Sequence, residues 1–257
     1  MKKSLSKCNF YIVILLIMFA SSIFYSIVWN DAPYVVGDSH IYMQVADDLK
    51  DGQLDNLHLR TIGYPLLLLI SGSTTQPTRL LFFIQLVMYL LSVLMFSIIM
   101  IKEKINKLFV LIFVLISLLP PVVEYSAYVL TEMSTVFFLS IAVFLMYVSL
   151  RNSSLIGAVA SGLLLGITAV IRPDYQLLII AISLSLLAFT IFLKKGQIIR
   201  DFIFPILIGT SIIVVGYMGF NYIKYGHFRM AFFSGLVLST KTVNFIEEIP
   251  DQYTGIR

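Results

Sequence analysis

The chain has 257 residues, of which 59% are hydrophobic and only 12% are charged. A soluble domain averages roughly 45–50% apolar and about 25% charged residues, so this composition indicates an integral membrane protein without a large soluble domain. The formal net charge of +4 is explained by basic loops at one membrane face. We expect no nucleic-acid partner, because no polar segment combines a basic patch with interleaved aromatic residues. The single cysteine, Cys8, excludes an internal disulfide and a cysteine-only metal site.

Seven hydrophobic segments predict membrane spans. The first, residues 10–29, follows three lysines and has about the 20 residues that a membrane helix requires. It lacks a clear small-x-small cleavage site, so we interpret it as an uncleaved signal anchor. The other segments are 79–101, 106–119, 125–150, 155–171, 175–193 and 202–220. The sequence therefore predicts an all-α fold, a polytopic transmembrane helical bundle.

Lysine and arginine residues predict the orientation of this bundle. They concentrate in four short segments that alternate so as to share one side: Lys2, Lys3, Lys7, Lys102, Lys104, Lys107, Arg151, Lys194, Lys195 and Arg200. The positive-inside rule makes that side cytoplasmic. We therefore predict a multi-pass cell-membrane protein with a cytoplasmic N-terminus and a membrane module over residues 1–220. The outer side carries a long first loop, about 30–78, and a tail, 221–257, which we interpret as the start of a missing C-terminal region.

The long first outer loop is predicted to carry short amphipathic helices. Residues 39–52 predict an amphipathic helix that lies along the membrane surface, and Gly52 is placed to end it. Its apolar face carries residues at helical spacing: Ile41, Tyr42, Val45 and Leu49. Residues 64–70 are apolar but too few to cross a bilayer, which predicts an interfacial or re-entrant piece. Between the two, Gly63 and Pro65 predict a turn.

Four ionisable residues stand at the edges of apolar segments on the predicted outer side: Asp38, Arg60, Glu132 and Arg172. Charges gathered at one membrane face by a hydrophobic protein predict a functional site. Each also has a structural explanation. Asp38 or Ser39 is placed to cap the helix that follows, Arg60 to reach lipid headgroups, and Glu132 and Arg172 to form a plain ion pair. The histidines are isolated in the sequence and do not predict a metal site.

Several motifs occur in an order that resembles the polytopic GT-C glycosyltransferases. They are Asp38-x-x-x-Tyr42, Arg60-Thr61-x-Gly63-Tyr64-Pro65, Thr131-Glu132, Gly162-x-x-x-Gly166 before Arg172-Pro173, and Asn221-x-x-x-Tyr225-Gly226. Together they are most similar to the family 39 branch, which contains protein mannosyltransferases and aminoarabinose transferases. Members of this family are usually much longer, so the resemblance implies a GT-C-like bundle that is short or truncated at its C-terminus.

The resemblance implies transfer of a sugar from a polyprenyl-phosphate carrier to an acceptor hydroxyl at the outer membrane face. In that reaction Asp38 is the expected general base. Arg60 and Arg172 are expected to stabilise the leaving phosphate. The further expected substrate-binding residues are Tyr42, Tyr64 and Glu132. Ser39 follows Asp38 where protein mannosyltransferases have glutamate, which favours a lipid or glycan acceptor over a protein.

Two other functions remain open from the sequence. One is a transporter or flippase of lipid-linked sugars, although transporters favour charges near the bilayer midplane and matched halves. The other is an inactive, truncated membrane subunit. The motifs imply no cofactor, while a divalent cation assists some branches of the resembled family. The expected partners are the lipid-linked sugar donor, the lipid or glycan acceptor and the membrane lipids.

Overall fold

A computed structural model describes residues 2–29, 31–54, 57, 60–192 and 196–231. The chain is 78% helical, and no strand occurs in these described ranges, which confirms the predicted all-α class. The helices are α1 (Lys2–Val28), α2 (Ser39–Lys50), α3 (Gly63–Ile70), α4 (Arg79–Lys102), α5 (Lys107–Ser117), α6 (Pro120–Val123), α7 (Glu132–Asn152), α8 (Leu155–Ile171), α9 (Tyr175–Phe192), α10 (Gly196–Ile198) and α11 (Phe204–Tyr225). Most of the predicted tail, from residue 232 onward, lies outside the described residues.

Four helical stretches are long and apolar enough to cross a membrane: Asn9–Val28, Arg79–Lys102, Glu132–Asn152 and Gly196–Tyr225. A fifth candidate joins α5 to the piece Pro120–Ala127, with a bend of 58° at the break. The prolines at the start of α6 explain the break, because proline lacks a backbone N–H and its ring clashes with the preceding helical turn. A helix occupies each of the seven predicted segments, but among the described residues only these four or five satisfy length and hydropathy. The helices support a multi-pass membrane protein.

The boundary between the third and fourth predicted spans is corrected by the structure. The fourth segment was expected to begin at residue 125, whereas α7 begins at Glu132. Residues Glu124–Ala127 form a 3-10 turn that extends the bent α5–α6 piece instead. A continuous apolar run does not mark this change of direction, which is why the sequence pattern placed the boundary too early.

Helices α8 and α11 pack closely because glycine stands where they cross. A Cβ atom on Gly162 would lie 2.1 Å from the carbonyl oxygen of Ile206, and one on Gly209 would lie 2.3 Å from that of Val159. The Thr210 hydroxyl donates a hydrogen bond of 3.0 Å to the Gly162 carbonyl across the same contact. Small residues allow this close backbone approach in membranes.

Helix α2 lies where an amphipathic helix was predicted, over residues 39–52. It ends before Gly52, whose φ of +73° is a conformation that glycine adopts without strain. The turn predicted at Gly63 and Pro65 is wrong, because both residues lie within helix α3, which also contains the predicted interfacial piece 64–70. A Cβ atom on Gly63 would lie 2.8 Å from the Ile171 Cα. Glycine is therefore required there because α3 packs directly against the end of α8.

A buried glutamine joins three parts of the chain near the outer loop. Gln85 of α4 has no exposed surface. It accepts a hydrogen bond of 3.1 Å from the Tyr64 hydroxyl and donates to the carbonyls of Ser126, at 3.0 Å, and Tyr128, at 2.9 Å. A buried amide is costly unless its donors and acceptor are paired. These bonds fix α3 and the segment before α7 against α4.

The opposite ends of α4 and α7 are joined by a second polar contact. The Tyr147 hydroxyl and the Arg151 guanidinium donate to one carboxylate oxygen of Glu103, at 2.6 and 2.7 Å. The hydrogen bond from Tyr147, followed by the charge of Arg151, holds the pKa of Glu103 below its ordinary value. Arg151 lies at the end of α7 opposite Glu132. Helix α7 therefore separates Arg151, at this end, from Glu132 at its other end.

The close crossing of α8 and α11 predicts different effects for two glycines of α11. Gly209→Ala should lower stability by about 1–3 kcal/mol, because the added methyl group meets backbone atoms that cannot move aside. Gly219→Ala is the matched control, since a Cβ atom there meets nothing within 4 Å. Thermal unfolding of the purified variants in detergent measures both. Equal melting temperatures for the two variants would contradict the crossing.

Candidate functional site

Five of the six predicted site residues line a single pocket: Asp38, Tyr42, Arg60, Glu132 and Arg172. The pocket has a volume of about 210 Å³. Its residues come from the beginning of α2, the loop before α3, the beginning of α7 and the end of α8. Four separate parts of the chain therefore deliver charged side chains to one place. The remaining wall consists of Leu130, Thr131, Pro173, Asp174 and Ala231.

The first charge pair of the pocket is Asp38 with Arg60. The Arg60 Nη2 atom lies 2.6 Å from the Asp38 Oδ2 atom. The Asp38 side chain is 56% exposed, whereas that of Arg60 is 21% exposed. The Arg60 guanidinium also lies over the Tyr42 ring, 5.3 Å from its centroid, a distance at which a cation is attracted by the ring. The largely buried Arg60 guanidinium thus holds the Asp38 carboxylate, which remains exposed.

Asp38 does not cap the helix that follows it. It precedes α2, but its side chain makes no capping hydrogen bond. The neighbouring Ser39 has a structural role instead. Its hydroxyl donates toward the carbonyls of Val36, at 2.6 Å, and Val129, at 2.7 Å. Ser39 therefore fixes the beginning of α2 to the segment before α7, and the Asp38 carboxylate remains directed into the pocket.

The second charge pair is Glu132 with Arg172. The Arg172 Nη1 atom lies 2.6 Å from the Glu132 Oε1 atom, and each side chain is about one-third exposed, at 34% and 31%. The other oxygen, Oε2 of Glu132, is buried and has no hydrogen-bond partner. Burial lowers the pKa of Arg172, but the hydrogen bond and charge of Glu132 outweigh it, so the pKa lies above its ordinary value. Arg172 therefore keeps its charge.

The two tyrosines predicted to bind substrate have different positions. Tyr42 lines the pocket, and burial, only partly opposed by the charge of Arg60, raises the pKa of its hydroxyl. Tyr64 has no exposed surface and is not part of the pocket wall. Its ring packs edge-on against that of Tyr42, with centroids 5.3 Å apart. Tyr64 therefore supports Tyr42 through this ring contact, and its hydroxyl donates a hydrogen bond to Gln85.

An apolar groove of about 640 Å³ lies between α3, α7, α8 and α11. Its lining includes residues within two positions of the pocket residues: Ile62 after Arg60, Ser134 after Glu132, and Ile171 before Arg172. Isoleucine and leucine side chains form most of its wall, so the groove offers hydrocarbon surface. The same helix ends therefore contribute residues to both the groove and the charged pocket.

Helix α11 positions the loop between α1 and α4, and only part of this was predictable from the sequence. The Tyr217 hydroxyl accepts a hydrogen bond of 3.2 Å from the Ile62 N–H. The Tyr225 hydroxyl donates to the Leu54 carbonyl. The motif containing Tyr225 was recognised from the sequence. Tyr217 was not recognised, because it lies outside the motifs.

Asn221 of α11 holds the chain that follows the helix. Its amide nitrogen donates to the carbonyls of Arg229, at 2.6 Å, and Met230, at 3.1 Å. The next residue, Ala231, contributes to the wall of the pocket. The Asn221 side chain therefore holds the segment that leads to Ala231 in the pocket wall. This contact gives a physical reason for an asparagine in the recognised motif.

Within the described part of the chain, no cluster of three or more histidine, cysteine, aspartate or glutamate residues is placed to hold a metal ion. Comparison with protein-family models, with curated proteins and with solved structures finds no match for this chain. The resemblance to GT-C glycosyltransferases therefore stays a prediction.

Proposed function

We propose that the protein is a membrane glycosyltransferase that moves a sugar from a polyprenyl-phosphate carrier to an acceptor hydroxyl at the outer membrane face. The observation that supports this proposal is the pocket in which the exposed Asp38 carboxylate lies with two arginines, Arg60 and Arg172. The carboxylates of Glu132 and Asp174 line the same pocket. A general base and cationic groups for a leaving phosphate are the side chains that such a reaction requires.

In the proposed reaction the Asp38 carboxylate accepts the proton of the acceptor hydroxyl. The acceptor oxygen then forms a bond to the anomeric carbon of the donor sugar. The bond between that carbon and the phosphate oxygen breaks, and the phosphate leaves with the electron pair. An exposed carboxylate beside the pocket is accessible to an acceptor that approaches from outside the bilayer.

The leaving phosphate is assigned to the two arginines. Glu132 holds Arg172 through one nitrogen, and a planar guanidinium has further N–H donors for phosphate oxygens. The buried Oε2 atom of Glu132 is an acceptor suited to a hydroxyl of the donor sugar. Arg60 has a second task, because it pairs with Asp38 in the absence of substrate. Binding of phosphate beside Arg60 would weaken this pair and release the base.

The carrier tail is assigned to the apolar groove. A polyprenyl chain is hydrocarbon, and the groove offers hydrocarbon surface whose lining includes Ile171, the residue before Arg172. A donor with its phosphate in the pocket and its tail in the groove would place charge beside the arginines and hydrocarbon against apolar side chains. This arrangement favours a transferase over a flippase, because the charges lie at helix ends rather than at a broken helix near the bilayer midplane.

The base assignment predicts that Asp38→Asn lowers sugar transfer by about 100-fold to 10,000-fold, because an amide cannot accept the proton. Asp47→Asn on the same helix is the matched control, since Asp47 does not line the pocket. The measurement is incorporation of labelled sugar from polyprenyl-phosphate donors into membranes that carry each variant at equal amounts. Transfer at the unmodified rate by Asp38→Asn would overturn the assignment.

The groove assignment predicts selective loss of long-chain binding. Gly216 lines the groove and has open space beside it, so Gly216→Phe should fill the groove. Each displaced methylene costs about 0.8 kcal/mol, so loss of a few should weaken binding of undecaprenyl phosphate more than about tenfold. Isopentenyl phosphate, which has almost no tail, should bind as before. Native mass spectrometry of both ligands provides the measurement.

The control for the groove variant is Gly219→Phe. Gly219 lies on the same helix and also has open space beside it, but it does not line the groove. Its substitution should leave both ligands bound normally. Equal weakening of the two ligands by Gly216→Phe would indicate damage to the fold, and unchanged binding of undecaprenyl phosphate would contradict the assignment of the tail.

The proposed orientation predicts opposite labelling of two exposed positions. His40 lies beside the pocket, whereas Lys104 follows the far end of α4. With Cys8 replaced by serine, a cysteine introduced by His40→Cys should react with a membrane-impermeant maleimide on intact cells. A cysteine introduced by Lys104→Cys should react only after the cells are opened. The reverse pattern would place the pocket in the cytoplasm.

A further inference from the structure

Three tyrosines form a contiguous aromatic surface next to the pocket, and we call Tyr34, Tyr125 and Tyr128 the aromatic shelf. The ring centroids of Tyr34 and Tyr128 lie 5.9 Å apart, and those of Tyr125 and Tyr128 lie 6.4 Å apart. Tyr34 is 53% exposed and Tyr125 is 46% exposed. Large aromatic surface is thus presented outward by residues that the proposed reaction does not yet use.

The aromatic shelf is held in place by backbone pairing. The Tyr34 N–H donates to the Ala127 carbonyl at 2.7 Å, and the Val129 N–H donates to the Tyr34 carbonyl at 3.0 Å. The Tyr128 carbonyl is in turn bound by the buried Gln85 amide. Two irregular segments are therefore fixed side by side, so the three rings are presented from a supported backbone.

The same two segments run directly into the pocket. Tyr34 is four residues before Asp38, and Tyr128 is two residues before the pocket residue Leu130. An extended chain spans at most about 3.6 Å per residue, so the shelf begins within roughly 7–14 Å of the pocket. A ligand with one hydroxyl at Asp38 and its body on the shelf therefore needs to be only a few rings long.

The polar groups of the shelf suit a ligand rich in hydroxyls. The Tyr128 hydroxyl donates to the Glu124 carboxylate at 2.5 Å, and this hydrogen bond raises the pKa of Tyr128. Carboxylates accept hydrogen bonds, and aromatic faces attract the slightly positive C–H groups on one face of a pyranose ring. Segments 31–38 and 118–131 contain no lysine or arginine. Neither segment therefore supplies a cation for an anionic lipid headgroup.

We propose that the aromatic shelf is the acceptor subsite and that the acceptor is a saccharide, bound through ring faces on Tyr34 and Tyr125 and through hydroxyls to Glu124. This inference rests on the proposed glycosyltransferase function and narrows its acceptor from a lipid or glycan to a glycan. The sugar hydroxyl that extends beyond the shelf toward Leu130 would then be the one that Asp38 deprotonates.

Saturation-transfer NMR on the full chain in phosphatidylcholine nanodiscs tests the shelf without requiring the donor. Glycosidic detergents must be absent, because they would compete for the site. The probes are methyl glycosides of glucose, galactose, mannose and N-acetylglucosamine, and their short oligomers. At least one probe should receive saturation on the C–H groups of one ring face. If no probe received saturation from the protein, the proposal would be overturned.

Variants then identify the surface that binds. Tyr34→Ala and Tyr125→Ala should each weaken the responding probe by roughly tenfold, equivalent to about 1.4 kcal/mol, whereas Tyr34→Phe should retain binding because it keeps the ring. Glu124→Gln should weaken binding through loss of a charged acceptor. The matched control is Tyr222→Ala on α11, which removes a tyrosine that is 60% exposed and remote in sequence from the shelf.

Two outcomes separate this inference from the proposed function. Unchanged probe binding by Tyr34→Ala and Tyr125→Ala would show that the rings only anchor in the headgroup layer, and it would overturn the acceptor subsite while leaving Asp38 untouched. Asp38→Asn should bind the probe normally yet fail in transfer. Normal transfer by Asp38→Asn, together with tyrosine-dependent probe binding, would overturn the base and retain the shelf.

Discussion

The requirement that charge at the edge of an apolar bundle be paired organises this protein. Asp38 pairs with Arg60 and Glu132 pairs with Arg172, both at 2.6 Å. Each pair joins two parts of the chain that are distant in sequence, so satisfying the charges also brings α2, α3, α7 and α8 together. Removal of one partner would leave a partly buried charge without compensation, which is more damaging than loss of the pair as a whole.

The convergence of these charges depends on neutral contacts beneath them. Glycines allow α8 and α11 to approach at backbone distance, and the same device at Gly63 seats α3 against the end of α8. Gln85 uses both of its amide protons on carbonyls of the segment before α7. In a bilayer no water satisfies such groups, so unpaired alternatives are costly and the arrangement is specific. The pocket is therefore a consequence of packing that is fixed elsewhere.

Much of this arrangement follows from sequence pattern, and the remainder depends on tertiary contacts. Apolar run length predicted the helical class, helical spacing predicted α2, and charge position predicted the members of the pocket. Burial of Tyr64 was not predictable, because its partner Gln85 is a lone amide inside an apolar span. The aromatic shelf was equally hidden, since backbone pairing between two irregular segments joins Tyr34 to Tyr128, 94 positions later in the chain. Neither segment carries a periodic signal.

The pairing of Asp38 with Arg60 gives the proposed reaction a built-in order. In the absence of substrate, the Asp38 carboxylate is occupied by the Arg60 guanidinium at 2.6 Å. In the proposed reaction the donor phosphate would compete with Asp38 for Arg60. Proton abstraction would then follow occupation of the pocket by donor, and an acceptor resting on the shelf would remain unreactive before it. The ion pair would thus limit the proposed chemistry to the moment when both substrates are present.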